Sequence, residues 1–306
     1  MDKNQDNNSY HKMNINWYPG HMAKTKRQIQ EDLKLIDVVV ELLDSRIPIS
    51  SRNPDINTIV KDKKRIIVLN KSDLADEKET IKWSEYFKAK DIPAIITDAN
   101  SGKGIKDVIK KAEEIMEDEL NKREEKGRIG RKIRIMILGI PNVGKSSFIN
   151  RLANKNSLEV GNRPGVTRKK QWIKISNSIE LLDTPGVLWP KFESEEVALN
   201  LAYTGTIKDD ILEKTEVAFH FLKYMLENEI DKLVKRYNLN KEEIIESLEN
   251  QNRPENEIIY DIMLKIGKIR GAVVSGGNID DTKTANIILE DFRSGKLGRI
   301  TLEKVK

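Results

Sequence analysis

The chain has 306 residues, 38% hydrophobic and 34% charged, with a formal net charge of +5; this suits two soluble globular domains with buried cores. No run approaches the ~18 apolar residues of a membrane span. The absence of cysteine excludes disulfides and thiolate metal sites and fits a cytoplasmic location, and three histidines, His11, His21 and His220, argue against a multi-histidine zinc centre.

The charge is unevenly placed. Residues 191–306 carry 18 basic and 22 acidic side chains, whereas residues 1–190 carry 36 and 27. Residues 1–13, "MDKNQDNNSYHKM", lack the apolar core of a secretory signal and read as a disordered tail. From 14 to 190 an α/β domain is expected. "IDVVVELLDS", "RIIVLNKSD", "PAIITDANSG" and "IRIMILGIPNVGKS" are apolar runs that each end in a polar turn. Amphipathic segments such as "ETIKWSEYFKAK" and "GIKDVIKKAEEIMEDELNK" separate them. Continuous apolar strands alternating with helices predict a mostly parallel sheet covered on both faces, with ligands at the carboxyl ends of its strands. "QWIKIS" and "SIELLDTPG" predict a hairpin added to that sheet. The basic stretch at about 121–132 suits either a polyanion contact or a solvated linker. From 191 to 306 the apolar residues fall at helical spacing, as with Val217, Phe221, Leu222, Met225 and Leu226, and a small all-α domain is expected. Asp280 and Asp281 are its clearest capping residues.

"GIPNVGKS", Gly139 to Ser146, matches G-x-x-x-x-G-K-[ST] between a predicted strand and a predicted helix. Its backbone N–H groups, from Asn142, Val143 and Gly144 through Ser147, would surround phosphates. Lys145 would neutralise the β- and γ-phosphates and Ser146 would offer its hydroxyl to Mg²⁺. In "DTPG", Asp183 is a second Mg²⁺ group and Gly186 a backbone donor to the γ-phosphate, although the same letters suit an ordinary turn. Thr167, in "NRPGVTRKK", lies between these motifs and is placed to reach Mg²⁺. "NKSD" (Asn70, Lys71, Ser72, Asp73) selects the base: the Asp73 carboxylate accepts from N1–H and the 2-amino group of guanine, a donor pair adenine lacks. The segment "DANSGKG", which contains Asp98 and Ala99, ends the next strand. GTP is therefore the expected substrate. The order is rearranged, with the base motif before the phosphate loop, as in a circular permutation. Val187, after Gly186, cannot orient a water molecule as a glutamine would.

With "WYPGHMAK", "DSRIPISSRNP", "RPGVT" and "DTPGVLWPKF", this permuted set resembles the bacterial ribosome biogenesis GTPase A, or YlqF-type, family from about Asn14 onward. The resemblance implies a circularly permuted P-loop GTPase followed by a helical domain that contacts ribosomal RNA. It implies a factor acting late on the large (50S) ribosomal subunit precursor, bound in the GTP state and released after particle-stimulated hydrolysis; the sequence leaves the oligomeric state open, with a monomer favoured. Asn142 resembles the asparagine that helps hold K⁺ in related GTPases. His21 matches a histidine to which the family assigns catalysis; a helix cap or an RNA contact is the other reading of its chemistry. Where such proteins often carry Ser-Ala in the guanine site, this chain has Asp98-Ala99, and the Ala99 N–H can still reach the guanine O6. Candidate RNA contacts are the basic linker, the basic residues after Thr167 and those of residues 262–306. The rival readings are a regulatory GTPase switch for a protein effector, a nucleic-acid-modifying enzyme and, least favoured, a metabolic ATPase.

Overall fold

The structure, a computed structural model, describes residues 22–61, 63–127, 130–153, 172–182, 194–207, 213–250 and 252–305. Two compact units divide them, one of residues 22–182 with 299–305 and one of residues 194–298.

In the first unit the described elements are α1 (Met22–Leu33), β1 (Val38–Asp44), α2 (Ile56–Val60), β2 (Lys64–Asn70), α3 (Glu77–Lys88), β3 (Ala94–Ile96), α4 (Ile105–Glu125), β4 (Ile133–Leu138), α5 (Lys145–Leu152), β5 (Trp172–Lys174) and β6 (Ile179–Leu182). The sheet order is β3-β2-β1-β4-β6-β5. All neighbours pair in parallel except β5 with β6, the expected hairpin. Every residue of β1 is buried, as a central parallel strand requires. On one face Val39, Met136, Leu138 and Leu182 pack beneath Ile29, Leu33, Ile56 and Ile59 of α1 and α2. Leu43, Ile67 and Leu69 of the same face lie under Trp83 and Phe87 of α3. Between these clusters stands Glu41, 2% exposed. Arg52 Nε lies 2.9 Å from it and Arg65 Nη1 3.6 Å away. Burial raises its carboxyl, and the two guanidiniums only partly oppose that. The alternate face carries α4, whose Ile115 carbonyl accepts from Lys64 Nζ at 2.6 Å.

Part of the expected basic linker is helix, because α4 runs to Glu125. Several of its charges are used internally. Arg123 pairs with Asp37 at 2.9 Å and Arg131 stands 3.8 Å from the same carboxylate; beyond the linker, on β4, Arg134 pairs with Glu180 at 2.7 Å while lying over the Trp172 ring.

The second unit holds α6 (Glu195–Tyr203), α7 (Lys214–Asn228), α8 (Ile230–Tyr237), α9 (Lys241–Glu249), α10 (Glu255–Ile269) and α11 (Asp281–Arg293). Phe221 of α7 stacks at 4.7 Å on Phe292 of α11 and at 5.2 Å on Tyr203 of α6. Asp280 caps α11 by accepting from the Lys283 N–H. Buried Asp291 receives both Nε and Nη2 of Arg236 at 2.9 Å. A Cβ on Gly267 would meet Thr284 Oγ1 at 2.3 Å, so α10 and α11 approach at a point only glycine permits. Among the described residues no helix is long and apolar enough to cross a membrane.

Candidate functional site

Four neighbouring parallel strands, β3-β2-β1-β4, bring their carboxyl ends to one edge. The loop after β4 is the phosphate loop. Asn142, at φ 62°, and Gly144, at φ 90°, are both left-handed, a conformation that asparagine tolerates and glycine adopts freely. Gly144 is the N-cap of α5, so the helix begins here and turns its first N–H groups and the positive end of its dipole to the loop. Ser146 and Ser147 are exposed there and Lys145 is half-buried.

The loop after β2 carries the base-reading motif. Asn70 is buried, and its amide is used at both ends. Nδ2 donates to the Val143 carbonyl at 2.8 Å, while Oδ1 accepts from Thr97 Oγ1 at 3.2 Å and the Ala99 N–H at 3.1 Å. One side chain thereby joins the loops after β2, β3 and β4. Lys71 donates to the Asn142 carbonyl at 2.5 Å and stands 3.0 Å from the Asp44 carboxylate. Burial lowers the Lys71 ammonium below its ordinary value, only partly countered by Asp44.

Asp44, at the end of β1, is gripped by Arg46 through Nε at 2.9 Å, Nη2 at 2.8 Å and the backbone N–H at 3.0 Å. Burial alone would raise its carboxyl. Arg46 and then Lys71 outweigh that and hold it well below the ordinary 3.8. Asp44 and Arg46 occur in "DSRIPISSRNP", where charged residues at the end of an apolar run were the available signal. Arg151 of α5, which donates to the carbonyls of Ala99 and Asn100, had no local signal.

Asp73 is exposed, and its carboxyl is raised by desolvation and then by neighbouring Asp98. Asp98 is buried and lies on the opposite side of its ordinary value. Burial would raise it, but hydrogen bonds from Ser101 and from the Asn100 and Ser101 backbone, with Arg151 nearby, lower it. Its Oδ1 accepts from the Asn100 N–H at 2.8 Å, and the Gly102 N–H returns to its carbonyl at 2.8 Å. Asp98 therefore closes its own turn, a task a serine hydroxyl also performs. The Ala99 N–H is engaged by Asn70, so a guanine O6 approaching it would share that proton.

Of the expected site residues, the structure brings together Asn70, Lys71, Ser72, Asp73, Asp98, Ala99 and Asn142 through Ser147. His21, Thr167, Asp183 and Gly186 lie outside the described residues, as does Val187. Among the described residues no group of three or more histidines and carboxylates is placed to hold a metal. Of the expected Mg²⁺ donors only Ser146 is described; its hydroxyl is exposed, as would suit an ion held largely by phosphate oxygens.

Gly144 tests the link between the two loops. A Cβ there would meet Asn70 Nδ2 at 2.5 Å, in a left-handed backbone. Gly144→Ala is expected to weaken nucleotide binding by about tenfold or more, from backbone strain and a displaced Asn70. Titration with a fluorescent GDP measures it; unchanged affinity would show that the Asn70 link does not shape the site.

A parallel sheet that presents a base loop before its phosphate loop defines a P-loop GTPase of circularly permuted order. A family model described as a 50S ribosome-binding GTPase matches residues 134–261, and one described as RsgA GTPase matches residues 56–193. Ribosome biogenesis GTPase A of Bacillus cereus is 48% identical over 95% of this chain and 94% of its own length. The protein of that name from Priestia megaterium is 47% identical over 95% of this chain and 97% of its own. GNP-bound YlqF from T. maritima is 27% identical, with a TM-score of 0.62 over 92% of this chain and 98% of its own. The chain belongs to the ribosome biogenesis GTPase A family. It is an enzyme that hydrolyses GTP, and it acts in ribosome assembly.

Proposed function

We propose that the protein acts in the cytoplasm late in maturation of the large ribosomal subunit, binding the precursor and its rRNA with GTP and leaving after the particle stimulates hydrolysis. The observation that carries this reading is the Asn70–Val143 and Lys71–Asn142 interlock. It makes the base-reading and phosphate loops one unit, in a chain whose relatives are ribosome biogenesis GTPases. Lys145 and the N–H groups that begin α5 hold the triphosphate and offset charge as water displaces the γ-phosphate. Ser146, Thr167 and Asp183 would hold Mg²⁺, which would supply further neutralisation of phosphate charge. Val187 cannot orient the water. His21, brought in by the particle, would take that part as acceptor or base; the alternative is a K⁺ that Asn142 would help hold, which would offset charge.

The RNA-facing surface is smaller than composition suggests. Lys265 pairs with Glu243, Arg293 donates to the Ala202 and Tyr203 carbonyls, and Arg299 belongs to the other unit. Exposed Lys268 and Arg270 remain on the helical unit, beside the exposed side chains of Ile269, Val273 and Val274.

GTP turnover with and without purified large subunits, in K⁺ buffer, tests the reading. Wild type should be stimulated, and His21→Ala should lose the stimulation while still binding nucleotide. Stimulation by an RNA-free protein fraction instead of subunits would favour an effector switch. Stimulation that survives in His21→Ala would leave the water to the K⁺ at Asn142 or to a particle group.

A further inference from the structure

We infer that Arg299–Val305 is a clamp on the guanine-reading loop, and that Arg299 is a positioning residue for Asp73. The inference rests on Asp73 being the guanine-reading carboxylate. The segment begins immediately after the helical unit ends, yet it belongs to the α/β unit, where it lies against the two loops that frame the base site.

Its first half grips the turn that carries Asp73. Arg299 donates from Nη2 to the Ser72 carbonyl at 2.9 Å and from Nε to the Ala75 carbonyl at 2.7 Å. One guanidinium therefore bridges the carbonyls on either side of Asp73 and Leu74. The Ile300 N–H donates to the Leu74 carbonyl at 3.0 Å, and Thr301 Oγ1 accepts from the Asp76 N–H at 3.0 Å. Its second half grips the loop after β1. The Leu302 N–H donates to the Arg46 carbonyl at 2.8 Å, and the Glu303 carboxylate accepts from the N–H groups of Ile49 at 2.6 Å and Ser50 at 2.8 Å, and from the Ser50 hydroxyl. Ile300, Thr301 and Leu302 are buried, Trp83 Nε1 donates to the Glu303 carbonyl at 2.9 Å, and Val305 packs on the Trp83–Phe87 cluster. The clamp is thus anchored by apolar burial, while its polar groups hold the loops.

Two hydrogen bonds from one carboxylate to a guanine edge demand accurate placement of the turn, because hydrogen bonds weaken steeply with misalignment. The turn has reason to move: Asp73 is exposed and faces the like charge of Asp98. Three of its carbonyls and one N–H are held by the clamp, which fixes the backbone from which Asp73 projects.

The test compares kcat and KM for GTP and ITP in wild type, Arg299→Ala and Arg299→Lys. Inosine lacks the 2-amino group and so makes one of the two bonds to Asp73. In Arg299→Ala the preference for GTP over ITP should fall by about tenfold, the scale of one such hydrogen bond. The fall should come through KM for GTP with kcat unchanged, and Arg299→Lys should recover part of it. Thr301→Val, which removes one bond at the Asp76 end without changing charge, should shift the preference in the same direction by less, and it decides the matter if Arg299→Ala does not fold. A lower melting temperature with the preference unchanged would overturn the proposal and leave the segment a purely structural tie. Absence of any GTP preference in wild type would instead overturn the Asp73 reading beneath it.

Discussion

Asp73→Asn is expected to lose GTP and accept XTP. The carboxylate offers two acceptors to the N1–H and 2-amino donors of guanine, whereas an asparagine amide turns one of them into a donor. A hydrogen bond to a charged group is worth about 1.5–3 kcal/mol, and a donor now faces a donor, so GTP should bind about 100-fold more weakly. Xanthine carries a carbonyl at the same carbon, which the introduced amide would satisfy. Equilibrium titration with GTP and XTP checks both halves. Unchanged GTP affinity would mean that Asp73 does not read the base. The raised carboxyl of Asp73 adds a pH dependence. Its ionised form is the one that binds guanine, so in wild type GTP binding should begin to fail, on acidification, at a pH above the ordinary aspartate value of 3.8.

The second large effect concerns stability. Asp44 is 1% exposed and Arg46 likewise, and Asp44 also faces half-buried Lys71. Asp44→Asn leaves two cations in a site built around one anion. Breaking a buried pair on one side costs about 3–5 kcal/mol, which lowers the melting temperature of a unit this size by about 6–20 °C. The nucleotide-free protein is the one to melt, since bound ligand shifts the transition by mass action. A loss below about 1 kcal/mol would show that both cations reach water once the carboxylate is gone. The sign with pH follows from the depressed carboxyl. In wild type the contribution of Asp44 is fully present above the unfolded value of 3.8 and is lost as pH falls below it toward the folded value. Glu41 works in the opposite sense. Its folded carboxyl is raised, so stability is lost as pH rises from the unfolded value of 4.5 to the folded one, where the loss is complete.

Features made by neighbours along the chain were legible without the structure. Burial of "VVVELLD" on both sides, the hairpin of β5 and β6, the loop of "GIPNVGKS" between strand and helix and the Asp280 cap all depend on residues within a few positions of one another. The nucleotide class was legible for the same reason, since a phosphate loop and a base-reading turn are each written in one short stretch. Tertiary structure decided what those stretches are attached to. Asn70 meets Val143 across 73 positions, and Thr301 meets Asp76 across 225. Arg123 and Arg131, part of a stretch whose composition suits a polyanion contact, direct their charge to Asp37. Residues 299–305 follow the helical unit in the chain but pack with the α/β unit. Composition counts charges and donors, whereas only the folded chain pairs them, because an ion pair or a hydrogen bond depends on distance in space and not on separation in sequence.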